Sequence, residues 1–214
     1  MFPRKLKMKT PIKENIRFNS AGILKTMIPP ESKVDSFLFY DGDIEFKLAD
    51  SGRRVRAHTN NYLVHEFWDC VLDEPSAVAM WAENLSSLLE DDPVFSKEKM
   101  FSILQGRWHI YSDSYIRAGM FFLLNRYSDV GLISSGKMST PGLNHFSLLQ
   151  MRRFKVKNFE ILLDTCNNYL ETLLTIKDTD YLLFPAGKFS YNLFEEGKSK
   201  AIENTTVDHK ALYK

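Results

Sequence analysis

A short apolar run near the carboxyl end of the chain constrains the fold more than any other feature. Residues Tyr181 to Phe184 are apolar at every position, and the run stops at Pro185 before a loop that contains Gly187 and continues to Asn192. A strand that is apolar throughout is typical of a buried central strand in a parallel sheet. Open α/β sheets bind their ligands in the loops that follow such strands. This loop carries almost no acid, base or nucleophile, so the sequence predicts an α/β fold with little chemistry at its expected centre.

Strand and helix patterns alternate along the rest of the chain. The sequence predicts strands over 34–39, 53–58 and 156–159, and helices over 20–30, 61–72, 113–124 and 161–174. The strand over 53–58 shows the polar alternation of an edge strand. Together these elements predict an α/β domain with a mostly parallel sheet, formed by residues 1–74 and 156–214, and a helical insertion over 75–155.

The composition is that of an ordinary globular protein, with 44% hydrophobic and 26% charged residues in a chain of 214. With a formal net charge of +1, the chain as a whole is not attracted electrostatically to nucleic acid or membrane. Any nucleic-acid contact must therefore come from a local patch of positive charge. Cys70 and Cys166 are too few for a disulfide framework and predict buried thiols in a reducing, cytoplasmic setting. No apolar run reaches the length of a membrane span, and we expect no membrane partner.

Few residues have the spacing of a catalytic or metal site. The five histidines do not cluster at metal-ligand spacing, so we expect no metal centre. The turn Tyr40–Asp43 follows a predicted strand, where a glycine-rich phosphate loop would lie. Asp41 and Asp43 would repel a phosphate there. They could tolerate a cation, although a solvated turn is the simpler interpretation.

Basic residues are concentrated in two places. The segment 152–157 alternates charged and apolar residues, which fits an edge strand and a nucleic-acid contact about equally well. Residues 1–17 contain six lysines and arginines and form either a solvated arm or a phosphate-contacting arm. With Lys137, these segments would form a surface that tracks phosphates, in which Arg152 and Arg153 take part.

Several segments occur in the order of motifs found in one protein family. Residues 19–29, with Gly22, lie where that family has a W-A-G-G-K type segment. Residues 37–43 lie where it has E/D-P-F-x-G-x-G, and residues 58–61 where it has N-D-I-N. Residues 118–132 resemble its helix that ends in an N-R-T-x-F-N-G type loop, and residues 180–187 stand where D-P-P-Y belongs. On these motifs the chain resembles the Dam-type adenine DNA methyltransferases, which transfer a methyl group from S-adenosylmethionine to a flipped adenine.

The resemblance implies a Rossmann-like methyltransferase sheet and two sets of site residues. The cofactor positions are Gly22, Phe39, Asp41, Asp43, Thr59 and Asn61. The DNA-facing positions implied by the family are Asn125 and Arg126, which add to Lys137, Arg152 and Arg153 from the charge pattern. The position of the catalytic motif is Phe184, Pro185, Ala186 and Gly187.

The departures from the family pattern have direct physical consequences. Phe184 replaces the aspartate that accepts a hydrogen bond from the adenine amine, and Gly187 replaces the tyrosine that stacks on the base. Both turn glycines are aspartates, and Thr59 replaces the acid that handles the cofactor. We therefore expect a non-catalytic relative that has lost cofactor affinity and binds double-stranded DNA or a protein. The alternatives are an active, divergent adenine methyltransferase and an unrelated α/β or α+β protein.

Overall fold

A computed structural model describes residues 9–13, 20–90, 97–107, 110–128, 138–139, 142–164, 169–184, 188–195 and 198–206. In chain order the elements are α1 (Ser20–Met27), β1 (Lys33–Ser36), α2 (Asp43–Asp50), β2 (Arg54–Thr59), α3 (Tyr62–Asp73), α4 (Pro75–Glu90), α5 (Lys97–Arg107), α6 (Ser114–Tyr127), α7 (His145–Arg152), β3 (Phe159–Leu163), α8 (Tyr169–Thr175), β4 (Tyr181–Leu183), β5 (Lys188–Glu195) and β6 (Lys198–Thr206). The predicted α/β class is confirmed.

Four strands form one parallel sheet in the order β3-β2-β1-β4. Val34 of β1 pairs with Val55 on one side and with Tyr181 of β4 on the other. The strand order therefore reverses at β1, which makes the crevice between β1 and β4 a topological switch point. This arrangement is compatible with a Rossmann-like fold.

The positions of two strands in the sheet are opposite to those that the sequence predicts. β4 forms one edge of the described sheet, and its Leu182 is 42% exposed. β2 is an inner strand, although its polar alternation predicted an edge. The reason is that His58 is buried in a charged network on the sheet, and the partly exposed Arg56 also pairs with Asp35 of that network.

The third strand also differs from the prediction. Residues 161–163 belong to β3 and not to a helix, because Ala57 of β2 pairs in parallel with Ile161. The following helix, α8, begins only at Tyr169. A short apolar run fits a strand and a helix equally well, and here the pairing with β2 decides. The sequence also predicts a loop from Pro185 onward. This prediction is wrong from residue 188, where β5 begins and pairs antiparallel with β6.

The helix boundaries follow the sequence signals closely. The Asn61 side chain accepts a hydrogen bond from the Leu63 amide at the start of α3, and Asp113 caps α6 in the same way. Pro75 opens α4, as its fixed φ favours. Residues 118–125 of α6 are all buried. One hydrophobic cluster runs from Ala57 of the sheet into α4 and α6, so the sheet and the helical block share a core.

The predicted division at residue 75 stays a prediction. None of the described helices combines the length and the apolarity that crossing a bilayer requires.

Candidate functional site

Three aromatic rings stack side by side at the carboxyl ends of β2, β1 and β4. Phe37 lies between His58 and Phe184, with ring centroids 4.8 Å and 4.5 Å away and interplanar angles of 8° in both cases. Only 2% of Phe37 is exposed. The stack is anchored by the backbone, because the Phe37 amide donates to the Leu183 carbonyl at 3.0 Å. At the end of the sheet where open α/β folds bind ligands, the described side chains of these three strands are thus packed against one another.

A buried ionic network lies beside this stack. His58 Nε2 is 2.8 Å from Asp35 Oδ1, and His58 Nδ1 is 3.0 Å from Asp164 Oδ1. Arg56 donates from Nη2 to Asp35 Oδ2 at 2.7 Å. Asp35 has no exposed surface and His58 is 4% exposed. The network joins β1, β2 and the residue that follows β3.

The pKa shifts within the network favour the charged forms. Burial by itself lowers the pKa of His58, but its hydrogen bonds to Asp164 and Asp35 outweigh burial and raise that pKa above its usual value. Burial raises the pKa of Asp35, but hydrogen bonds from Arg56 and His58 outweigh it and lower the net value. The shifts thus favour the imidazolium form of His58 and the carboxylate form of Asp35. Since both imidazole nitrogens of His58 are occupied, the ring is not available as a general base.

The turn after β1 leaves little room for a phosphate or a cofactor. Gly42 has φ +74°, and a Cβ at this position would lie 2.1 Å from Cε2 of Phe46. The Asp43 amide donates to Asp41 Oδ1 at 3.1 Å, and the Asp43 carboxylate pairs with Lys47. The amide that a bound anion would need is therefore already used inside the turn.

Glu45 provides a carboxyl group that titrates near neutral pH. It lies half-buried in the first turn of α2 and accepts a hydrogen bond from Ser36 Oγ at 2.6 Å. The pKa of Glu45 is raised to about 7, because burial and the charges of Asp41 and Asp43 together outweigh the opposing hydrogen bond from Ser36. Ser36 is itself 3% exposed, so this pair is not open to a substrate.

The predicted cofactor positions have structural roles. Gly22 lies on the exposed side of α1, and Phe39 packs against Trp68 in the aromatic core. Thr59 Oγ1 accepts a hydrogen bond from the Asn61 amide, and Asn61 in turn caps α3. With carboxylates in the turn and stacked rings at the ends of β1 and β4, the described residues do not fit S-adenosylmethionine.

The predicted DNA-facing residues fall into different environments. Asn125 is fully buried, and its Oδ1 accepts a hydrogen bond from the Lys13 amide at 2.7 Å. This contact anchors the described part of the basic amino-terminal arm, residues 9–13, to α6. Arg126 is half-buried, its Nε has no hydrogen-bond partner among the described residues, and burial lowers the pKa of its guanidinium. Arg152 forms an ion pair with Glu83 of α4.

Arg153 is the predicted DNA-facing residue that the structure leaves most accessible. Lys137 lies outside the described residues, and so do Pro185, Ala186 and Gly187 of the predicted catalytic motif. Of the predicted DNA surface, the structure thus describes residues 9–13, the α6 positions and the segment 152–157.

The sequence analysis missed the ionic network. Asp35 and Asp164 are 23 and 106 positions from His58, and no local pattern connects residues so far apart. The one available signal was the spacing of Arg56 and His58, which places both side chains on the same face of a strand. That signal becomes informative only when β2 is known to be an inner strand.

Fold and site together define an α/β domain with a parallel sheet, compatible with a Rossmann-like fold, in which aromatic rings stack across the carboxyl ends of β2, β1 and β4. No protein-family model matches the chain, and no curated protein matches it significantly. Among the described residues, no group of three or more histidine, cysteine, aspartate or glutamate side chains is arranged to hold a metal ion.

Proposed function

We propose that this chain is a non-catalytic relative of the Dam-type adenine DNA methyltransferases that binds double-stranded DNA through the segment Arg153–Lys157. We call this segment the basic connector, because it links α7 to β3. Arg153, Lys155 and Lys157 are all exposed, and no ion pair or hydrogen bond joins their side chains to another residue in the described part of the chain. These three available cations are the observation that carries the proposal.

The residues between the cations of the connector pack against the hydrophobic core. Phe154, between the first two cations, is 7% exposed and packs edge-on against Phe46 with ring centroids 5.0 Å apart. Val156, between the next two, packs against the hydrophobic core of the sheet. Because the intervening side chains are anchored, the cations need little ordering before they contact phosphates, which lowers the entropic cost of binding.

The proposal separates binding from catalysis. Phosphate contacts position a protein on DNA without requiring a flipped base or a methyl donor. Phe184 cannot accept a hydrogen bond from an adenine amine, and its ring is already stacked on Phe37. We therefore derive no methyl-transfer step from this site.

Salt-dependent binding of a labelled DNA duplex tests the proposal. The logarithm of the binding constant should fall linearly with the logarithm of salt concentration, with a slope of about −0.9 for each phosphate neutralised. Each of the substitutions Arg153→Ala, Lys155→Ala and Lys157→Ala should weaken binding and reduce the slope by about one contact. Lys177→Ala is the matched control, because this exposed lysine precedes β4 and lies outside the connector. A folded triple variant that binds with unchanged affinity and slope would show that the connector is not the DNA site.

The strand order supports a second candidate, an active but divergent adenine methyltransferase. Order β3-β2-β1-β4 places Phe184, at the position of the catalytic motif, next to β1 at the switch point. Calorimetric titration with S-adenosylmethionine separates the two candidates. Binding at micromolar concentration would favour the enzyme, whereas no binding at millimolar concentration would leave the non-catalytic proposal standing.

A further inference from the structure

We propose that Phe146 stacks on an unpaired base, so that the preferred ligand of this chain is a DNA duplex interrupted by an unpaired nucleotide. Phe146 lies in the first turn of α7, and 81% of the residue is exposed. The inference rests on the proposed binding of DNA through the basic connector and adds to it a contact with a base. It therefore names the form of DNA that the surface would recognise.

Phe146 and the first cation of the connector lie on the same face of α7. The Arg153 amide donates to the Leu149 carbonyl at 3.1 Å, so the helical hydrogen bonding continues to residue 153. Seven residues span about two helical turns, which places Phe146 and Arg153 one above the other along the helix. Their backbones are therefore about 10 Å apart along the helix axis. This length corresponds to about three base steps of 3.4 Å in a DNA strand.

The inner side of α7 is packed into the protein core. Leu148 and Met151 are both buried, and they belong to the hydrophobic cluster that also includes residues of α4 and α6. Phe146 and Arg153, in contrast, are both exposed. Because the inner side fixes the rotation of the helix, the face that carries Phe146 and Arg153 is held toward solvent.

A capping box holds the first turn of α7, in which Phe146 lies. The Asn144 side chain accepts a hydrogen bond from the Ser147 amide at 2.9 Å, and Ser147 Oγ accepts one from the Asn144 amide at 3.0 Å. The backbone on both sides of Phe146 is thereby fixed. Its ring has little freedom to lose on binding beyond its own side-chain rotation, which lowers the entropic cost of a contact.

The described part of the amino-terminal arm brings a second cation to this face of α7. Gln150 is four residues after Phe146 and therefore lies on the same side of the helix. Its Nε2 donates to the Thr10 carbonyl at 2.7 Å, which fixes the arm next to the helix. The neighbouring Lys9 is exposed. Two separate segments of the chain thus place positive charge near the Phe146 face, Lys9 from the arm and Arg153 from the connector.

The combination of an exposed ring with these cations points to a nucleic acid. A single exposed apolar residue indicates no function by itself. Cations bind phosphates, however, and bases stack on aromatic side chains, so the two together match the two parts of a nucleotide. In a fully paired duplex each base already stacks on its neighbours, and a ring can enter only by unstacking a step at a cost in free energy. An unpaired base avoids that cost, which is why an interrupted duplex is the preferred ligand.

Binding of two labelled duplexes, followed by fluorescence anisotropy, tests the inference. One duplex is fully paired, and the other has the same sequence with a single unpaired nucleotide. The wild-type chain should bind the interrupted duplex about 5- to 100-fold more tightly, which is the range that stacking of one base on an aromatic side chain contributes. Phe146→Ala should abolish this difference, whereas Phe146→Tyr, which retains a ring, should preserve it. Because Phe146 is largely exposed, both variants should fold as the wild type does.

Ile23→Ala is the matched control, because Ile23 is an apolar residue of α1 that is 65% exposed, and its loss should leave the difference between the duplexes unchanged. Equal wild-type affinities for the two duplexes, with the salt dependence intact, would overturn this inference and leave the proposed function standing. A preference that survives in Phe146→Ala would do the same. If neither duplex shows salt-dependent binding, the proposed function fails together with the inference.

Discussion

Phe37 and Phe184 stack face to face across the β1–β4 pair, with ring centroids 4.5 Å apart. The stack joins the two strands that flank the switch point, so it stabilises the sheet. Aromatic pairs of this kind contribute about 0.5–1.5 kcal/mol beyond the burial of their area. Side chains at the end of the sheet where open α/β folds bind ligands thus serve as packing here.

Phe37→Ala should therefore destabilise the protein strongly. Removing a buried phenylalanine ring costs about 3–5 kcal/mol, because the lost burial is followed by incomplete collapse of the cavity. Phe146→Ala is the matched control, since Phe146 is 81% exposed and its loss should change stability by less than about 0.5 kcal/mol. Urea unfolding followed by tryptophan fluorescence measures both. Equal midpoints for the two variants would contradict the packing of the crevice.

Gly42→Ala and Gly52→Ala should separate steric contact from backbone strain. Both glycines have positive φ, +74° and +92°, so alanine carries about 1–2 kcal/mol of strain at either position. Only at Gly42 would the new Cβ meet Phe46, at 2.1 Å, whereas nothing lies within 4 Å at Gly52. Gly42→Ala should cost about 1–3 kcal/mol more than Gly52→Ala because of this overlap. Similar unfolding free energies for both would mean that the turn can move away from Phe46.

Glu45→Gln should change how stability depends on pH. The folded pKa of Glu45, about 7, lies above the unfolded value near 4.3, so its stabilising contribution is complete below pH 4.3 and is lost as pH rises through 7. The glutamine keeps an oxygen for the Ser36 hydroxyl but cannot ionise. The variant should be about 1–2 kcal/mol more stable than wild type at pH 8, with no gain at pH 4.5.

Unfolding free energies at pH 4.5, 6 and 8 measure this effect of Glu45. Glu31→Gln is the control, because this substitution makes the same chemical change at an exposed position. A wild-type advantage at pH 8 would show that the Glu45 carboxylate is stabilised by its surroundings and not penalised by burial.

Arg53→Met should destabilise the protein, because the buried Arg53 side chain holds the end of α1. Arg53 is 5% exposed and donates from Nε to the Ile28 carbonyl at 3.1 Å and from Nη2 to the Lys25 carbonyl at 2.8 Å. Its loss leaves helix-end carbonyls without donors, at a cost of about 2–4 kcal/mol. Arg54→Met, one residue later and exposed, should be nearly neutral. Thermal unfolding at one pH compares the two, and equal melting temperatures would refute the capping role.

Local signals explain why the helices could be predicted well. The Asn61 cap, the Asp113 cap and Pro75 act within one turn of their own positions, so the sequence alone contains the interaction. The β3 strand could not be predicted in the same way. Its run over 161–163 is too short for its period to distinguish strand from helix, and the pairing with β2 made the choice.

The candidate site depended on contacts that no local pattern contains. The sequence predicted that Phe184 lies at the expected ligand loop, at a position where the family resemblance implies an acid. Its stacking on Phe37, 147 positions away by residue number, required the parallel pairing of β1 and β4. The same is true of Asp35 and Asp164, which meet at His58 only because three neighbouring strands align.

The sequence by itself determined the α/β class, the helix ends and the alternation of anchored and charged residues in the connector. These depend on propensity, capping and periodicity, all of which act between residues a few positions apart. Only the tertiary structure decided the order of the strands, and with it which strand is inner and where the buried charges meet. Strand order is set by the joint packing of distant segments, and the hydrophobic and ionic contacts that select it exist only once the sheet has formed.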